Sequence, residues 1–325
     1  MAVHKQTCTR PAQGRTIPAA RRLSTNDVTG ELARRARSSW AHLPDADVAA
    51  AVDGGMLAAA GVAAQVGDAA ATTQRQGLPP TATTPVNWAP FGDVFPILAG
   101  APGAGASVLA AALADALQLD GRRTLVVDAA DPRRSGLAMA ARSAGPWVRG
   151  PHPAVSIRFS WRANAVLAQL ETWLPVMAPG MVPPPRFWHP RMDLDATVVD
   201  LGHDSWRLAA HPMTGAGEWL RTGTPMPQPI LVVRPTRPSL AHAEQVLTRF
   251  EPWVSCGVAI TPIRLVVMGA TKWPRGVVGS AGRRLTPLLA SALFVPHVTS
   301  TAIGGVSPDL SPEPLRRAIK SLLGR

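Results

Sequence analysis

The chain has 325 residues, of which 46% are hydrophobic, so it can bury a large core, and its two cysteines exclude a disulfide framework. Its formal net charge of +12 favours anionic partners such as DNA, nucleotides or acidic lipids, although the excess of arginine over lysine is typical of a GC-rich genome. No apolar run reaches the roughly 18 residues of a membrane span and no signal peptide opens the chain, so we expect a cytoplasmic protein.

The N-terminal part of the chain differs in composition from the rest. Residues 1–44 contain eight basic and two acidic residues with little apolar periodicity, which predicts a disordered basic arm that is a candidate contact for DNA. Residues 45–90 combine an Ala-rich stretch that favours one or two helices with a linker rich in Pro and Thr. We place the folded domain at 91–325.

From Val94 the pattern becomes that of an α/β domain. A short apolar run meets a Gly-rich turn at Gly100–Ser107, an Ala/Leu helix follows, and the strand TLVVD ends at Asp128. Strands joined by a helical crossover are parallel. Further apolar runs, ATVVD, PILVVRP, IRLVVMG and ALFVPH, are typical of strands buried on both faces. The sequence therefore predicts a doubly wound, mostly parallel sheet.

The alternation of strands and helices is interrupted between residues 141 and 192. This stretch is rich in proline and tryptophan. Because proline disfavours regular elements, we expect an irregular insertion there, with one helix near 163–174.

The Gly-rich turn lies where a phosphate-binding loop would lie, between a buried strand and a helix. The pattern G-x-x-x-x-G-K-[ST] is met at Gly100, Gly105 and Ser107, while Ala106 occupies the lysine position. Backbone N–H groups of such a loop and the N-terminus of its helix attract phosphate, and Ser107 is a candidate Mg²⁺ ligand. The other interpretation is an ordinary Gly-rich turn between strand and helix.

The order of these motifs resembles the ParA/MinD family of P-loop ATPases over about residues 94–325. It runs from the Gly-rich loop through VVD-x-x-DP and VVD-LG to LVV-x-P-T-x-P-S. The resemblance implies a P-loop NTPase-like sheet that binds ATP or ADP with Mg²⁺.

The family loop, KGG-x-GK-[ST], is only partly present in this chain. Gly103, Gly105 and Ser107 match it, while Ala101 and Ala106 stand where the family has lysines. We therefore expect a degenerate loop that binds nucleotide weakly or not at all. The residues that the resemblance assigns to this contact are Gly100, Gly103, Ala104, Gly105, Ala106 and Ser107.

Three aspartates follow strands of the predicted sheet. Asp128 and Asp131 resemble the two acids of the family motif D-x-D-P, with one extra residue between them, and the resemblance assigns Asp131 to positioning the attacking water. Asp200 ends a strand, and the resemblance assigns it to the family acid that holds Mg²⁺ through a water molecule. Lys272 lies where members of the family have a basic residue near the adenine. Alternatively, Asp131 starts a turn, Asp200 caps one, and Lys272 is a surface residue.

These candidates should converge in space. In an open parallel sheet, ligands bind beyond the carboxyl ends of the strands, so we expect the loop to meet Asp128, Asp131 and Asp200 there. Without the lysines, phosphoryl transfer loses charge stabilisation, and we expect at most a weak ATPase. An active ATPase would need another cation, such as Arg133, Arg134 or one from a partner subunit.

The last segment, 311–325, predicts a short cationic amphipathic helix. Leu315, Ile319, Leu322 and Leu323 form its apolar stripe. Such a helix can lie on an anionic membrane surface, as the last helix of MinD proteins does. The other interpretation is a last helix packed on the sheet.

The resemblance implies a positioning or partner-regulating protein that acts in partition, conjugative transfer, or pilus or secretion assembly. It also implies a protein partner and a homodimer, located in the cytoplasm or peripherally at a membrane. A third class stays open, a DNA-binding adaptor that acts through the arm 1–44.

Overall fold

A computed structural model describes residues 84–202, 204–210 and 212–323, so the basic arm and the Ala-rich stretch lie outside the described residues. The strands are β1 (Val86–Asn87), β2 (Asp93–Ala99), β3 (Thr124–Asp128), β4 (Trp147–Arg149), β5 (Val155–Arg162), β6 (Ala165–Thr172), β7 (Ala196–Asp200), β8 (Gly223–Thr224), β9 (Ile230–Val233), β10 (Arg264–Met268) and β11 (Leu293–Val295). The helices are α1 (Ala106–Leu119), α2 (Ser205–Leu208), α3 (Arg237–Ser255), α4 (Thr286–Leu289), α5 (Thr299–Gly304) and α6 (Glu313–Leu323).

Nine of the described strands form one sheet, in the order β11-β10-β9-β2-β7-β3-β6-β5-β4. Neighbours are parallel from β11 to β6, and β5 and β4 extend one edge as antiparallel strands. This confirms the predicted mostly parallel α/β sheet. The order places β2, which leads into the Gly-rich loop, between β7 and β9 in the middle of the sheet.

Helices cover both faces of the sheet because successive residues of each central strand point to opposite sides. On one side, Leu98 of β2 and Val127 of β3 belong to the core that α3 covers. On the other, Ile97 and Val126 belong to the core formed with α1 and α6. The apolar runs of these strands are therefore buried on both faces, as predicted. Trp88, in the predicted linker, is also fully buried and stacks on Trp219.

The predicted helix near 163–174 is wrong, and the predicted irregular insertion over 141–192 is wrong for 147–172, which contains three strands, whereas 173–192 contains neither a strand nor an α-helix. Residues 165–172 form β6, which pairs with β3 on one side and β5 on the other. Its first six residues are all buried. Alanine, leucine and glutamine favour helices in isolation, but burial between two neighbouring strands decides the structure of this run.

The last helix packs within the fold. Leu315, Ile319 and Leu322 of α6 are buried, and α6 contacts α1 and β11. Its apolar stripe is thus explained by packing, which was the alternative to a membrane surface. None of the helices in the described part of the chain combines the length and the apolar character needed to cross a bilayer.

A buried ion pair connects three distant parts of this layer. Asp115 of α1 and Arg162 of β5 are 0% and 1% exposed, and their carboxylate and guanidinium lie 2.8 Å apart. The Asp115 carboxylate also accepts the backbone N–H of Ser311, just before α6. Because a buried charge is costly without a partner, this contact requires α1, β5 and the start of α6 to assemble together.

Candidate functional site

The loop between β2 and α1 has the backbone of a glycine-dependent turn. Gly103 and Gly105 have φ angles of 70° and 102°, in the left-handed region that favours glycine, and Gly105 directly precedes α1. A Cβ on Gly100 would lie 2.9 Å from the Cγ1 atom of Val233. The loop therefore starts tightly against β9 and then opens toward the carboxyl edge of the sheet.

Asp128 and Asp200 lie together at this edge. They end the adjacent strands β3 and β7 and are Cα partners in the parallel register. Their exposed fractions are 3% and 0%, and among the described residues neither forms an ion pair. Burial raises the pKa of Asp128. Burial, followed by the nearby charge of Asp128, raises the pKa of Asp200 to about 7.

The Asp200 carboxylate also connects this pair to the loop. The Ser107 hydroxyl, in the first turn of α1, lies beside it and lowers the pKa of Asp200, against the effect of burial. The backbone N–H of Gly202 donates to Asp200 Oδ1 at 3.1 Å. Asp200 Oδ2 is buried and has no hydrogen-bond partner among the described residues. A cation bound between this oxygen and the Ser107 hydroxyl would stabilise the buried carboxylate, which otherwise has an oxygen without a partner.

Ser107 and Asp200 can supply part of a Mg²⁺ coordination shell, but not all of it. No group of three or more His, Cys, Asp or Glu side chains suited to a metal occurs within the described residues, so a cage of protein ligands is absent there. Mg²⁺, however, is commonly held by one or two protein oxygens together with phosphate and water. Ser107 and Asp200 match that pattern.

Asp128 is held by residues that the sequence did not indicate. The Ser135 hydroxyl donates to Asp128 Oδ2 at 2.5 Å, and Gln169 Nε2 approaches the same oxygen at 3.4 Å. Gln169 also donates to the carbonyl oxygen of Leu137 at 2.9 Å. The segment after Asp131 is thereby fixed beside the end of β3 and the Gln169 side chain of β6.

This same segment closes over Ser107. A Cβ on Gly136 would lie only 2.4 Å from Ser107 Oγ, so the Gly136 backbone is in direct contact with that hydroxyl. A side chain at Gly136 would therefore collide with Ser107 unless one of the two segments moved.

Asp131 is 8% exposed and both of its carboxylate oxygens accept backbone N–H groups. Oδ1 accepts from Arg133 at 3.0 Å, and Oδ2 accepts from Met177 at 3.1 Å. The Arg133 guanidinium donates to the carbonyl oxygen of Leu174 at 2.6 Å, and Arg134 is exposed. The contact with Arg133 is that of a turn, whereas the contact with Met177 joins this turn to a segment 46 positions away. The catalytic role of Asp131 stays a prediction.

Two basic residues border the loop from the side of β9 and β10. Arg234 directly follows β9, and its Nε donates to the carbonyl oxygen of Gly103 at 3.1 Å. Lys272 is exposed on the segment after β10. The sequence resemblance implies that the segment 234–239 contacts the nucleotide region, but it does not indicate the hydrogen bond between Arg234 and Gly103. The position of Arg234 immediately after a buried strand was the signal that could have shown it.

The structure therefore brings Ser107, Asp128 and Asp200 together at the predicted edge of the sheet. The contacts of Asp131 are instead with the backbone of Arg133 and Met177, and Lys272 is exposed after β10.

No family model and no curated protein matches the chain. Among solved structures, septum site-determining MinD of Pyrococcus horikoshii, complexed with Mg-ADP, is 16% identical with a TM-score of 0.48, over 71% of this chain and 94% of that one. A ParA family ATPase of Chlorobium tepidum is 16% identical with a TM-score of 0.48, over 71% and 97%. A chain of the MinC:MinD cell division protein complex of Aquifex aeolicus is 15% identical with a TM-score of 0.45, over 72% and 97%. These similarities concern the overall arrangement of strands and helices.

Proposed function

We propose that this chain is a nucleotide-responsive protein of the ParA/MinD type. In this proposal it binds ATP or ADP with Mg²⁺ weakly at the loop 100–105 and acts through protein partners, with slow turnover or none. The observation that carries the proposal is the unpaired, buried Oδ2 of Asp200, beside Ser107 and next to the carboxylate of Asp128.

The electrostatics of the site favour a cation. Two carboxylates buried side by side disfavour each other's charged form, which adds to the effect of burial in raising the pKa of Asp200. A divalent ion at Ser107 and Asp200 would remove that repulsion. Phosphate would then bind the N–H groups of the loop and the positive end of α1.

The proposed roles follow from the contacts of each side chain. Ser107 and Asp200 would hold Mg²⁺, which when bound neutralises charge on phosphate oxygens. Asp128 is oriented by Ser135 and Gln169 toward the same edge. Asp131 accepts one backbone N–H on each of its oxygens, so the carboxylate is held in place and only its remaining lone pairs could accept a proton from water.

The weakness of binding has a separate cause. Ala106 stands at the lysine position of the loop pattern, so the loop itself contributes no charged side chain to the phosphates. The expected affinity is accordingly lower than that of a loop with lysine. In this proposal nucleotide acts as a ligand that shifts a conformational or dimerisation equilibrium.

The proposed process is positioning or assembly, as in partition, conjugative transfer, or pilus or secretion assembly, with a protein partner and a homodimer. The sequence resemblance over 94–325 supports it.

A membrane contact through 311–325 would require α6 to release Leu315, Ile319 and Leu322 from the core. Flotation with liposomes of anionic lipid tests this contact. DNA contact through 1–44 predicts salt-dependent binding that is lost when those residues are deleted.

Calorimetric titration of the full chain with ATP and ADP, with and without Mg²⁺, tests the nucleotide proposal. We expect binding that strengthens with Mg²⁺, and an Asp200→Asn variant that loses this dependence. Asp309→Asn is the matched control, because Asp309 is exposed and pairs with Arg142 away from the loop. Absence of binding up to about 1 mM nucleotide would contradict the proposal.

A further inference from the structure

The side chain of Arg234 is hydrogen-bonded to the backbone of the Gly-rich loop. Arg234 follows β9 directly, and its Nε donates to the carbonyl oxygen of Gly103 at 3.1 Å. Gly103 is at the open part of the loop, since a Cβ there would meet no atom within 4 Å. The guanidinium therefore stands beside the space that a phosphate on the loop would occupy.

The guanidinium of Arg234 is positioned by contacts with backbone atoms and not by an acidic side chain. Its Nη1 lies close to Gly269, where an added Cβ would be 2.8 Å away, and Gly269 follows β10 with a φ of 88°. The side chain is exposed, and within the described residues it forms no ion pair. An arginine that uses Nε for a carbonyl keeps the N–H groups of both Nη atoms for a ligand.

The surroundings of Arg234 are basic. The segments 234–243 and 269–280 contain no acidic residue, and they contribute Arg237, Lys272 and Arg275. These three side chains are exposed as well. The potential on this side of the loop is therefore positive, whereas Asp128 and Asp200 lie on the other side.

A polyphosphate on the loop needs a positive partner that the loop lacks. Ala106 stands at the lysine position, and no lysine occurs between Lys5 and Lys272. Arg133 is directed elsewhere, because its guanidinium donates to the carbonyl of Leu174. Arg234, by contrast, is hydrogen-bonded to the loop backbone itself.

We propose that Arg234 replaces the loop lysine and binds the terminal phosphates of a nucleoside di- or triphosphate through its Nη atoms. This rests on the proposed nucleotide binding. The unpaired Oδ2 of Asp200 marks the other side of the same ligand, where the cation that accompanies the phosphates would lie. A planar guanidinium suits bidentate contact with phosphate.

Arg237 offers a matched control for this proposal. It is also exposed, and its Nε also donates to a backbone carbonyl, that of Gly276, at 3.0 Å. It belongs to the same basic surface, but its hydrogen bond is to the segment after β10 and not to the loop. Arg234→Gln and Arg237→Gln therefore remove the same charge from neighbouring positions, and only Arg234→Gln removes the guanidinium that is bonded to Gly103.

Calorimetric titration of the full chain with ATP, ADP and AMP in the presence of Mg²⁺ tests the inference. For Arg234→Gln we expect ATP affinity to fall at least about tenfold, and for Arg237→Gln to change by less than about twofold. The reduction in affinity should be largest for ATP and smallest for AMP. Arg234→Lys should retain part of the affinity, and the ratio of ATP to AMP affinity does not depend on how much of a variant is folded.

Three outcomes would overturn the inference. If wild type binds ATP and Arg234→Gln binds it equally well, nucleotide binding stands and the role of Arg234 fails. If both glutamine variants bind ATP more weakly to the same extent, the basic surface acts as a whole and Arg234 has no special place. If wild type itself binds no nucleotide, the proposed function fails and this inference fails with it.

Discussion

Asp128 and Asp200 are Cα partners at the ends of two neighbouring parallel strands, and both carboxylates are buried. In water such a pair would be ionised at neutral pH. Here burial, with the nearby charge of Asp128, raises the pKa of Asp200 to about 7. The proton affinity of this site is therefore coupled to the stability of the fold and to any cation that binds there.

The first prediction concerns pH and stability. The pKa of Asp200 rises from 3.8 to about 7 in the folded state, so the folded state holds this proton more tightly than the unfolded chain does. The contribution of Asp200 to the free energy of unfolding therefore falls as pH rises from about 4 to about 7. Asp200→Asn should remove this decrease and make the protein more stable than wild type at pH 8, on a scale of about 1.4 kcal/mol per pKa unit.

Urea unfolding of wild type and Asp200→Asn at pH 5 and pH 8 measures this difference. Asp309→Asn serves as the control, since its side chain is 76% exposed. An Asp200→Asn variant whose stability changes with pH as much as wild type would show that Asp200 does not carry this proton.

The second prediction concerns the space beside Ser107. Gly136→Ala would place a methyl group 2.4 Å from Ser107 Oγ. The φ of Gly136 is outside the left-handed region, so the substitution acts through this clash and not through backbone strain. We expect a loss of stability of about 1–3 kcal/mol, because the contacts of Ser135 and Leu137 hold this segment in place, and a clear loss of the Mg²⁺ dependence of nucleotide binding. Calorimetry with and without Mg²⁺ measures it. Gly279→Ala, where an added Cβ meets no atom within 4 Å, is the control and should bind as wild type does.

The third prediction concerns the buried ion pair of Asp115 and Arg162. Arg162→Met should lower the free energy of unfolding by about 3–5 kcal/mol, because it leaves the Asp115 carboxylate buried without its partner. Adding Asp115→Leu should restore part of that loss. Chemical denaturation of the single and double variants measures the coupling.

Arg142→Met is the comparison for this pair. Arg142 and Asp309 form an ion pair whose side chains are 60% and 76% exposed, so its removal should change stability little. Equal effects of Arg162→Met and Arg142→Met would contradict a special cost of the buried charge.

The fourth prediction concerns Asp131. Asp131→Ala should lower stability by about 1–3 kcal/mol, since the N–H groups of Arg133 and Met177 would be left without their acceptors. Asp131→Asn keeps one acceptor oxygen and should be milder. If turnover of ATP is detected, we expect Asp131→Asn to retain it. Loss of turnover with ATP affinity unchanged would instead support the catalytic role that the sequence resemblance assigns to this residue.

The parts of the site that the sequence predicted are those with a local signature. The runs TLVVD and ATVVD are continuous and apolar, so their ends place Asp128 and Asp200 at one edge of a parallel sheet. The glycines of the loop and the helix after it are equally local. These features need only a few neighbouring residues to be recognised.

The parts that the sequence did not predict depend on distant pairing. Ala165–Thr172 was predicted within a helix because its composition favours one, whereas β6 is defined by its two neighbouring strands. Gln169 reaches Asp128 across 41 residues, and Arg234 reaches Gly103 across 131. Periodicity in one sequence contains no information about such contacts until the order of the strands is known.

The hydrogen bond between Asp115 and Ser311 has a consequence for how the protein is made. The two residues are 196 positions apart, so α1 is synthesised long before the segment that completes its surroundings. Until that segment leaves the ribosome, the carboxylate of Asp115 lacks the backbone N–H that it accepts in the folded protein. A nonsense mutation shortly before Ser311 would therefore preserve every residue of the loop and the acid pair. It would still remove α6 and the Ser311 N–H, both of which contact α1 in the folded protein.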